Sequence, residues 1–248
     1  MPAEGFVTVT RDEGSTIAEL NRPDEGNILT LEMLDALSTA LHEAEHDPNC
    51  SAFVLCAAGD SFCMGDDLRK LASENIDVFL SSYWRFVANL ASAAVPTVAV
   101  VTGPAVGGGV GLTAACDIAI CGPKATFQLP EVFFGMLPTI LLPPLAWRIG
   151  PQRALRLAAL GEIVSAEMAP ELGLVDLLSS NPVAAKREVL EVLHRSDRDT
   201  IAVVKRIHRA EFSLDTWFKE YRKLLLDVRW NDPKVVDRVQ RMIREGVL

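Results

Sequence analysis

Thr97-Val-Ala-Val-Val-Thr-Gly-Pro-Ala-Val-Gly-Gly-Gly-Val-Gly-Leu-Thr-Ala-Ala-Cys-Asp-Ile-Ala-Ile-Cys121 decides the fold class. It holds two short apolar runs, Thr97 to Val101 and Asp117 to Cys121, separated by a glycine-rich turn and a run of small residues ending at Cys116. Runs that are apolar at nearly every position suit strands buried on both faces, and parallel strands need a crossover, usually a helix. The reading is strand, tight turn, helix, strand.

The same alternation extends in both directions. Upstream, Ala52 to Cys56 is another short apolar run and Val78 to Ala94 has helical spacing. Before that, Thr30 is a suitable N-cap for a helix with Leu34, Leu37, Leu41 and Ala44 on one face, stopped by Asp47-Pro-Asn. The first segments, Phe6 to Thr10 and Ser15 to Leu20, read as a hairpin joined by Asp12-Glu-Gly. Strands alternating with helices require a parallel α/β architecture. From about Thr200 only helical patterns remain: Ile201, Val204 and Ile207, then Trp217, Tyr221, Leu224 and Leu225, then Val235, Val236, Val239 and Met242. This tail is too short for a core of its own. The expected division is therefore a core over 1–195 and a helical region over 196–248 that packs on the core or on another subunit.

With 248 residues and 49% apolar content, the chain can bury one sizeable core. No apolar stretch is long enough to span a membrane, and the N-terminus lacks the basic start and apolar run of a secretory signal. Five cysteines without C-x-x-C spacing fit a reducing, cytoplasmic setting. His42 and His46 have i, i+4 spacing but read as a solvated pair, so no metal is expected. A net charge of −9 argues against nucleic-acid binding. The locally basic run from Arg195, including Arg198, Lys205, Arg206 and Arg209, reads as solvated helix faces rather than a docking patch.

The chemistry lies in two glycine turns, Ser61-Phe-Cys-Met-Gly-Asp-Asp-Leu68 and Gly107-Gly-Gly-Val-Gly111. Each follows a buried strand and runs toward a helix, whose first N–H groups are unpaired and carry partial positive charge. Two such ends converging on one point can hold a developing oxyanion. Gly109-x-Gly111-x-x-Ala114 superficially fits a dinucleotide fingerprint, but Thr102 to Gly108 separate it from the strand. No P-loop pattern occurs, and Cys63, with no histidine near it in sequence, reads as a buried spectator.

These stretches, with Asn27 to Thr30, Ala115-Cys-Asp117, Ala125 to Gly135, Arg148-Ile-Gly150 and Ala166 to Asp176, resemble the crotonase, or enoyl-CoA hydratase/isomerase, superfamily in the right order along nearly the whole chain. The resemblance implies a crotonase-like spiral of β-β-α units with a C-terminal helical region. It implies that thioester oxygen is held by the N–H groups of Asp66 and Gly108, with Glu131 as the acid/base residue. Met64, Gly65, Leu68, Gly107 and Gly111 would contact substrate, and Arg69 and Lys70 would meet phosphates of CoA or phosphopantetheine, itself part of the substrate rather than a separate cofactor. Asp66 stands where a small or apolar residue is common in the family. A carboxylate there is unfavourable beside a forming anion, so its side chain is expected to turn away and only its N–H to act.

Family hydratases hold water with two glutamates. The second matches Glu131; the first falls on Gly111, which has no side chain. Glycine there, with the Phe127 to Pro138 stretch, resembles the hydratase-like dehydratases of polyketide β-branching cassettes, which act on a 3-hydroxy-3-methylglutaryl group carried by an acyl carrier protein. A Δ3,Δ2-enoyl-CoA isomerase with one glutamate and a non-catalytic thioester-binding protein are the alternatives. The resemblance also implies a homotrimer or hexamer contacting through the C-terminal helices.

Overall fold

The computed structural model describes residues 5–66, 76–209 and 232–245. Leu68, Arg69 and Lys70 lie outside the described residues, as does the expected apolar stripe Trp217, Tyr221, Leu224 and Leu225.

The elements follow the expected alternation. A hairpin of β1 (Val7–Asp12) and β2 (Ser15–Leu20) leads through a short 3-10 turn to α1 (Leu31–His46), then β3 (Ala52–Ala57) and α2 (Ile76–Ser92). Next come β4 (Thr97–Val101), β5 (Ala105–Val106), α3 (Gly108–Ala115), β6 (Ile118–Cys121) and β7 (Thr126–Gln128). The four-residue α4 (Glu131–Phe134) precedes α5 (Leu142–Ile149), α6 (Pro151–Leu160), β8 (Val164–Ser165), α7 (Met168–Leu172) and β9 (Leu177–Leu178). The described chain ends with α8 (Pro182–Arg195), α9 (Arg198–Arg209) and α10 (Pro233–Arg244).

Local sequence explains the entry into this alternation. Glu13 and Gly14 both take positive φ, 45° and 78°, giving the tight hairpin that the Asp-Glu-Gly turn suggested. Thr30 accepts the N–H of Met33 at 3.3 Å and starts α1, whose buried residues Met33, Leu34, Leu37, Ala40, Leu41 and Ala44 recur at helical spacing.

The large sheet runs β1-β2-β3-β4-β6-β9, parallel except for the β1-β2 hairpin. Its central strands are apolar throughout because both faces are covered. Phe53, Leu55, Ala99, Val101 and Ala119 join the main core, while Val54, Val98, Val100 and Ile120 form a second cluster under α8 and Ile201. A second layer is made from shorter pieces: β5, β7 and β8 pair with one another, and single bridges add Cys63 to Ala105 and Leu29 to Asp66. From β2 to β7 the chain thus alternates between a strand of the large sheet and a short piece of this layer, the spiral that the sequence led one to expect. Both glycine turns leave from that second layer.

The C-terminal helices that are described fold back on the core. Val235 and Val239 of α10 bury against Phe134. In α9 the expected stripe is only partly covered: Ile201 packs inward, whereas Val204 and Ile207 are exposed. Two members of the basic run are not solvated. Arg198 donates to the carbonyls of Asp47 and Cys50 at 2.7 and 2.9 Å and also to that of Glu45, and Lys205 is buried between the Val95 carbonyl at 3.1 Å and Asp117 at 2.6 Å. They anchor the tail to α1 and the sheet.

Several residues that carry the family resemblance do comparable work. Asp117 accepts from the N–H and hydroxyl of Thr97 at 2.8 and 2.9 Å. Arg148 donates to the Leu174 and Cys116 carbonyls at 2.6 and 2.8 Å and pairs with Asp176. These polar groups join successive spiral turns where main-chain atoms would otherwise be left unpaired. No helix among the described residues is long and apolar enough to cross a membrane.

Candidate active site

The two glycine turns meet. Gly65 has φ of 91°, and a Cβ placed on it would come 3.1 Å from the Val106 carbonyl oxygen and 3.8 Å from the Gly108 nitrogen. Only glycine permits both this backbone conformation and this approach. Gly107, with φ of 50°, then turns the chain into α3, whose first residue is Gly108. As that first residue, Gly108 has no acceptor for its N–H within the helix.

Glu131 comes over this junction from the other side. It opens α4 after Leu129-Pro130, and its Oε1 lies 2.9 Å from where a Cβ on Gly107 would stand. Its Oε2 is shut off from solvent and has no hydrogen-bond partner. Asp66 arrives along the Leu29 bridge, where the Leu29 N–H donates to the Gly65 carbonyl at 2.8 Å. Contrary to the expectation that its carboxylate would turn away, the side chain stands toward α3. Its Oδ1 lies 2.9 Å from the position of a Cβ on Gly108, buried and also without a partner. The bridge fixes the main chain, and a glycine at 108 leaves the space that the carboxyl takes.

Asp66, Tyr83 and Glu131 share one narrow pocket of about 40 Å³, lined also by Ile76, Leu80 and the segment from Met136 to Leu141. The volume suits a water-sized group. Burial is the main influence on both acids: it lifts Asp66 to about 7 and Glu131 to about 8. For Glu131, its own N–H at the start of α4 pulls back in part, and the negative charge of Asp66 pushes further up. The two carboxyls are therefore coupled, and neither is ionised as readily as an exposed acid.

Tyr83 is the residue that sequence alone did not single out. It lies on the buried stripe of α2 with Phe79, Val87 and Leu90, and its hydroxyl donates to the Gly108 carbonyl at 2.7 Å. A tyrosine on such a stripe needs a partner for its hydroxyl, and that was the available signal. Burial keeps this phenol well above its usual titration range, with Asp66 and Glu131 adding to the effect. At Gly111 a Cβ would fall 2.3 Å from the Tyr83 hydroxyl and 2.6 Å from a methyl of Leu141. The place where hydratases of the family begin their first glutamate is thus filled, not merely empty.

The remaining candidates divide. Gly65, Gly107 and Gly111 shape the junction, whereas Met64 is 40% exposed, packs on Gly26 and does not line the cavity. Cys63 is fully buried, and desolvation pushes its thiol up to about 12, which suits the spectator reading. His42 and His46 are exposed on α1, with a ring nitrogen of His46 against the His42 carbonyl at 2.8 Å. A larger depression of about 410 Å³ lies between the β1-β2 turn and α8. Its charged walls, Asp12, Glu13, Lys186, Arg187, Glu191 and Arg195, carry mixed signs and include none of the buried unpartnered atoms that mark the cavity at Glu131.

Comparison with known proteins agrees with this geometry. Residues 11–227 match the enoyl-CoA hydratase/isomerase family. The Mycobacterium tuberculosis protein named probable enoyl-CoA hydratase EchA14 is 33% identical over 212 residues, covering 84% of this chain and 82% of that protein. The hydroxycinnamoyl-CoA hydratase-lyase of Pseudomonas fluorescens is 33% identical over 222 residues, covering 83% and 77%. Among solved structures, a Bacillus subtilis protein that carries the name polyketide biosynthesis enoyl-CoA hydratase superposes with a TM-score of 0.87 over 97% of this chain and 98% of its own, at 23% identity, a likeness of fold. With the family matched over most of its length and the spiral fold in place, this chain belongs to the enoyl-CoA hydratase/isomerase family, the crotonase superfamily, and is an enzyme of that group.

Proposed function

We propose that this enzyme removes water from a 3-hydroxyacyl thioester by way of an enolate, its substrate being of the 3-hydroxy-3-methylglutaryl acyl carrier protein type used in polyketide biosynthesis. One observation carries the reading: Tyr83 and Leu141 occupy the space at Gly111, so the paired glutamates that position water in a hydratase are unavailable and Glu131 is left as the glutamate of the cavity.

The thioester oxygen sits against the N–H groups of Asp66 and Gly108. The Glu131 carboxylate takes the α proton, the C–H electron pair moves into the enolate, and negative charge builds on oxygen beside the start of α3. The enolate then expels the β oxygen, to which Glu131 returns its proton, so that water leaves and the C=C bond forms. A group titrating at about 8 is ionised about one time in ten at neutral pH and is a stronger base than an exposed carboxylate.

The lone glutamate equally suits a Δ3,Δ2-enoyl-CoA isomerase, which moves one proton between two carbons; this is the second reading. A thioester-binding protein without turnover is the third. Mass-spectrometric screening of acyl-CoA and acyl carrier protein thioesters separates them. Loss of water from a 3-hydroxyacyl carrier protein, with no shift of a 3-enoyl-CoA double bond, supports dehydration, and the converse pattern overturns it. Binding without turnover of any thioester supports the third reading. The 3-hydroxy-3-methylglutaryl group carries a terminal carboxylate, and the described cavity walls offer it no cation, so the screen includes an uncharged 3-hydroxyacyl thioester. Preference for the uncharged chain would keep dehydration and reject that acyl group.

A homotrimer or hexamer is part of the proposal, with the C-terminal helices in the contact. The exposed apolar residues Val203, Val204 and Ile207 of α9 support it. None of the five cysteines is joined in a disulfide, which suits a reducing compartment, and we place the enzyme in the cytoplasm.

A further inference from the structure

We propose that Asp66 acts through its side chain as well as its main chain: in its acid form the carboxyl donates a hydrogen bond to the thioester oxygen as the enolate forms, a third donor beside the N–H groups of Asp66 and Gly108. This rests on the enolate reading above.

Three observations lead to it. The Oδ1 atom faces the same cavity as Glu131, beside the residue that begins α3, and is buried without a partner. Unpaired buried polar atoms are rare, and one aimed into a reaction cavity is poised for a ligand. The groups facing it leave it no other role. Tyr83 has committed its hydrogen to the Gly108 carbonyl, Cys63 is a buried thiol, Glu131 is an acid, and no cation lines the cavity among the described residues. Finally, charge decides the protonation state. A carboxylate here would repel the developing enolate across a water-poor site, whereas a carboxylic acid shares its proton with it. Burial already lifts Asp66 to about 7, and an anion forming alongside raises it further. The proton stays shared between Asp66 and the enolate oxygen and returns to Asp66 when the C=C bond forms, so turnover needs no outside acid.

The pair then works in opposite states, Asp66 protonated and Glu131 ionised. This is the minor arrangement of the resting site, because Glu131, at about 8, holds its proton more firmly than Asp66, at about 7, until the enolate forms. The rate should rise with pH as the site loses its first proton and fall as it loses its second, with the two limbs near about 7 and about 8. The test is the pH profile of kcat/KM for the wild type, Asp66→Asn, Asp66→Ala and Glu131→Ala, on the thioester that the wild type turns over.

Asp66→Asn keeps a neutral donor, so it should stay within about tenfold of the wild type while losing the high-pH limb. Asp66→Ala should lose that limb as well and fall by about 10²- to 10³-fold, the effect of removing one oxyanion donor. Wild-type rates and an unchanged bell in Asp66→Ala would overturn the proposal, and so would a larger loss in Asp66→Asn than in Asp66→Ala, which marks a base. Full activity in Glu131→Ala would instead overturn the enolate reading on which the proposal rests.

A measurement on the resting wild type needs no variant and no substrate. Infrared spectra of protein labelled with 13C-aspartate should show one aspartic acid still protonated at about pH 6 that ionises near about 7. Absence of any such aspartic acid would reject the side-chain role.

Discussion

Positions 66 and 111 have exchanged what they carry. Gly111, on α3, is where the family's hydratases hold a carboxylate, and here its space is taken by the Tyr83 hydroxyl and Leu141. Asp66, at the other glycine turn, is where a small residue is common, and here it brings a carboxylate into the same cavity. The cavity still holds two acids, but one stands beside the start of α3 at Gly108 rather than at position 111. A pocket can therefore keep its family scaffold and change where an acid sits, with glycine at 108 and 111 deciding which side chains reach in.

The comparison can be broken at each of its points. The largest effect is expected from Glu131→Gln, which keeps the shape and removes the base: kcat should fall by about 10²- to 10⁴-fold on any thioester that the enzyme turns over, measured by steady-state kinetics. An undiminished rate would remove Glu131 from the mechanism. Next, Gly111→Glu should not restore hydration of an enoyl thioester. Its first carbon would meet Tyr83 and Leu141 at 2.3 and 2.6 Å, so it should cost about 3 kcal/mol of stability in denaturant unfolding. A stable variant that gained hydratase activity would show that position 111 is vacant after all.

The acids also make stability depend on pH with a definite sign. Both are raised in the folded protein above the ordinary carboxyl range, so between about pH 4 and about pH 8 the folded state holds more protons than the unfolded one. Their contribution to stability is complete below about pH 4 and is lost as pH rises through about 7 and about 8. Asp66→Asn removes one of the two groups and should flatten the decline by on the order of 3–4 kcal/mol, read from unfolding curves across that range. A decline as steep as in the wild type would mean that Asp66 is not desolvated. The smallest effect is expected from Tyr83→Phe, which strips the hydrogen bond from the Gly108 carbonyl and should cost about 1 kcal/mol.

Much of this was readable in the sequence because it is local. The Asp-Glu-Gly hairpin, the Thr30 cap and the apolar runs of β3, β4 and β6 follow from a few neighbouring residues each. The glycine turns and Glu131 could be placed by the family's order. The direction of the Asp66 side chain could not, because it depends on a single bridge to Leu29 and on free volume above Gly108. Nor could the filling of Gly111, since Tyr83 reaches it from another helix, hydrogen-bonded to a carbonyl 25 residues away in sequence, that of Gly108. The basic tail misled for the same reason: charge composition says nothing of carbonyls that Arg198 and Lys205 find on distant elements.

Arg198 has a consequence for how the chain is made. The carbonyls it gathers at the end of α1 leave the ribosome about 150 residues earlier than the arginine that satisfies them. Until then the end of the first helix and the turn after it are complete in sequence but lack the arginine that the Glu45, Asp47 and Cys50 carbonyls share. Final locking of the nascent chain must follow translation of position 198, and any product released before it would present that end to chaperones and proteases.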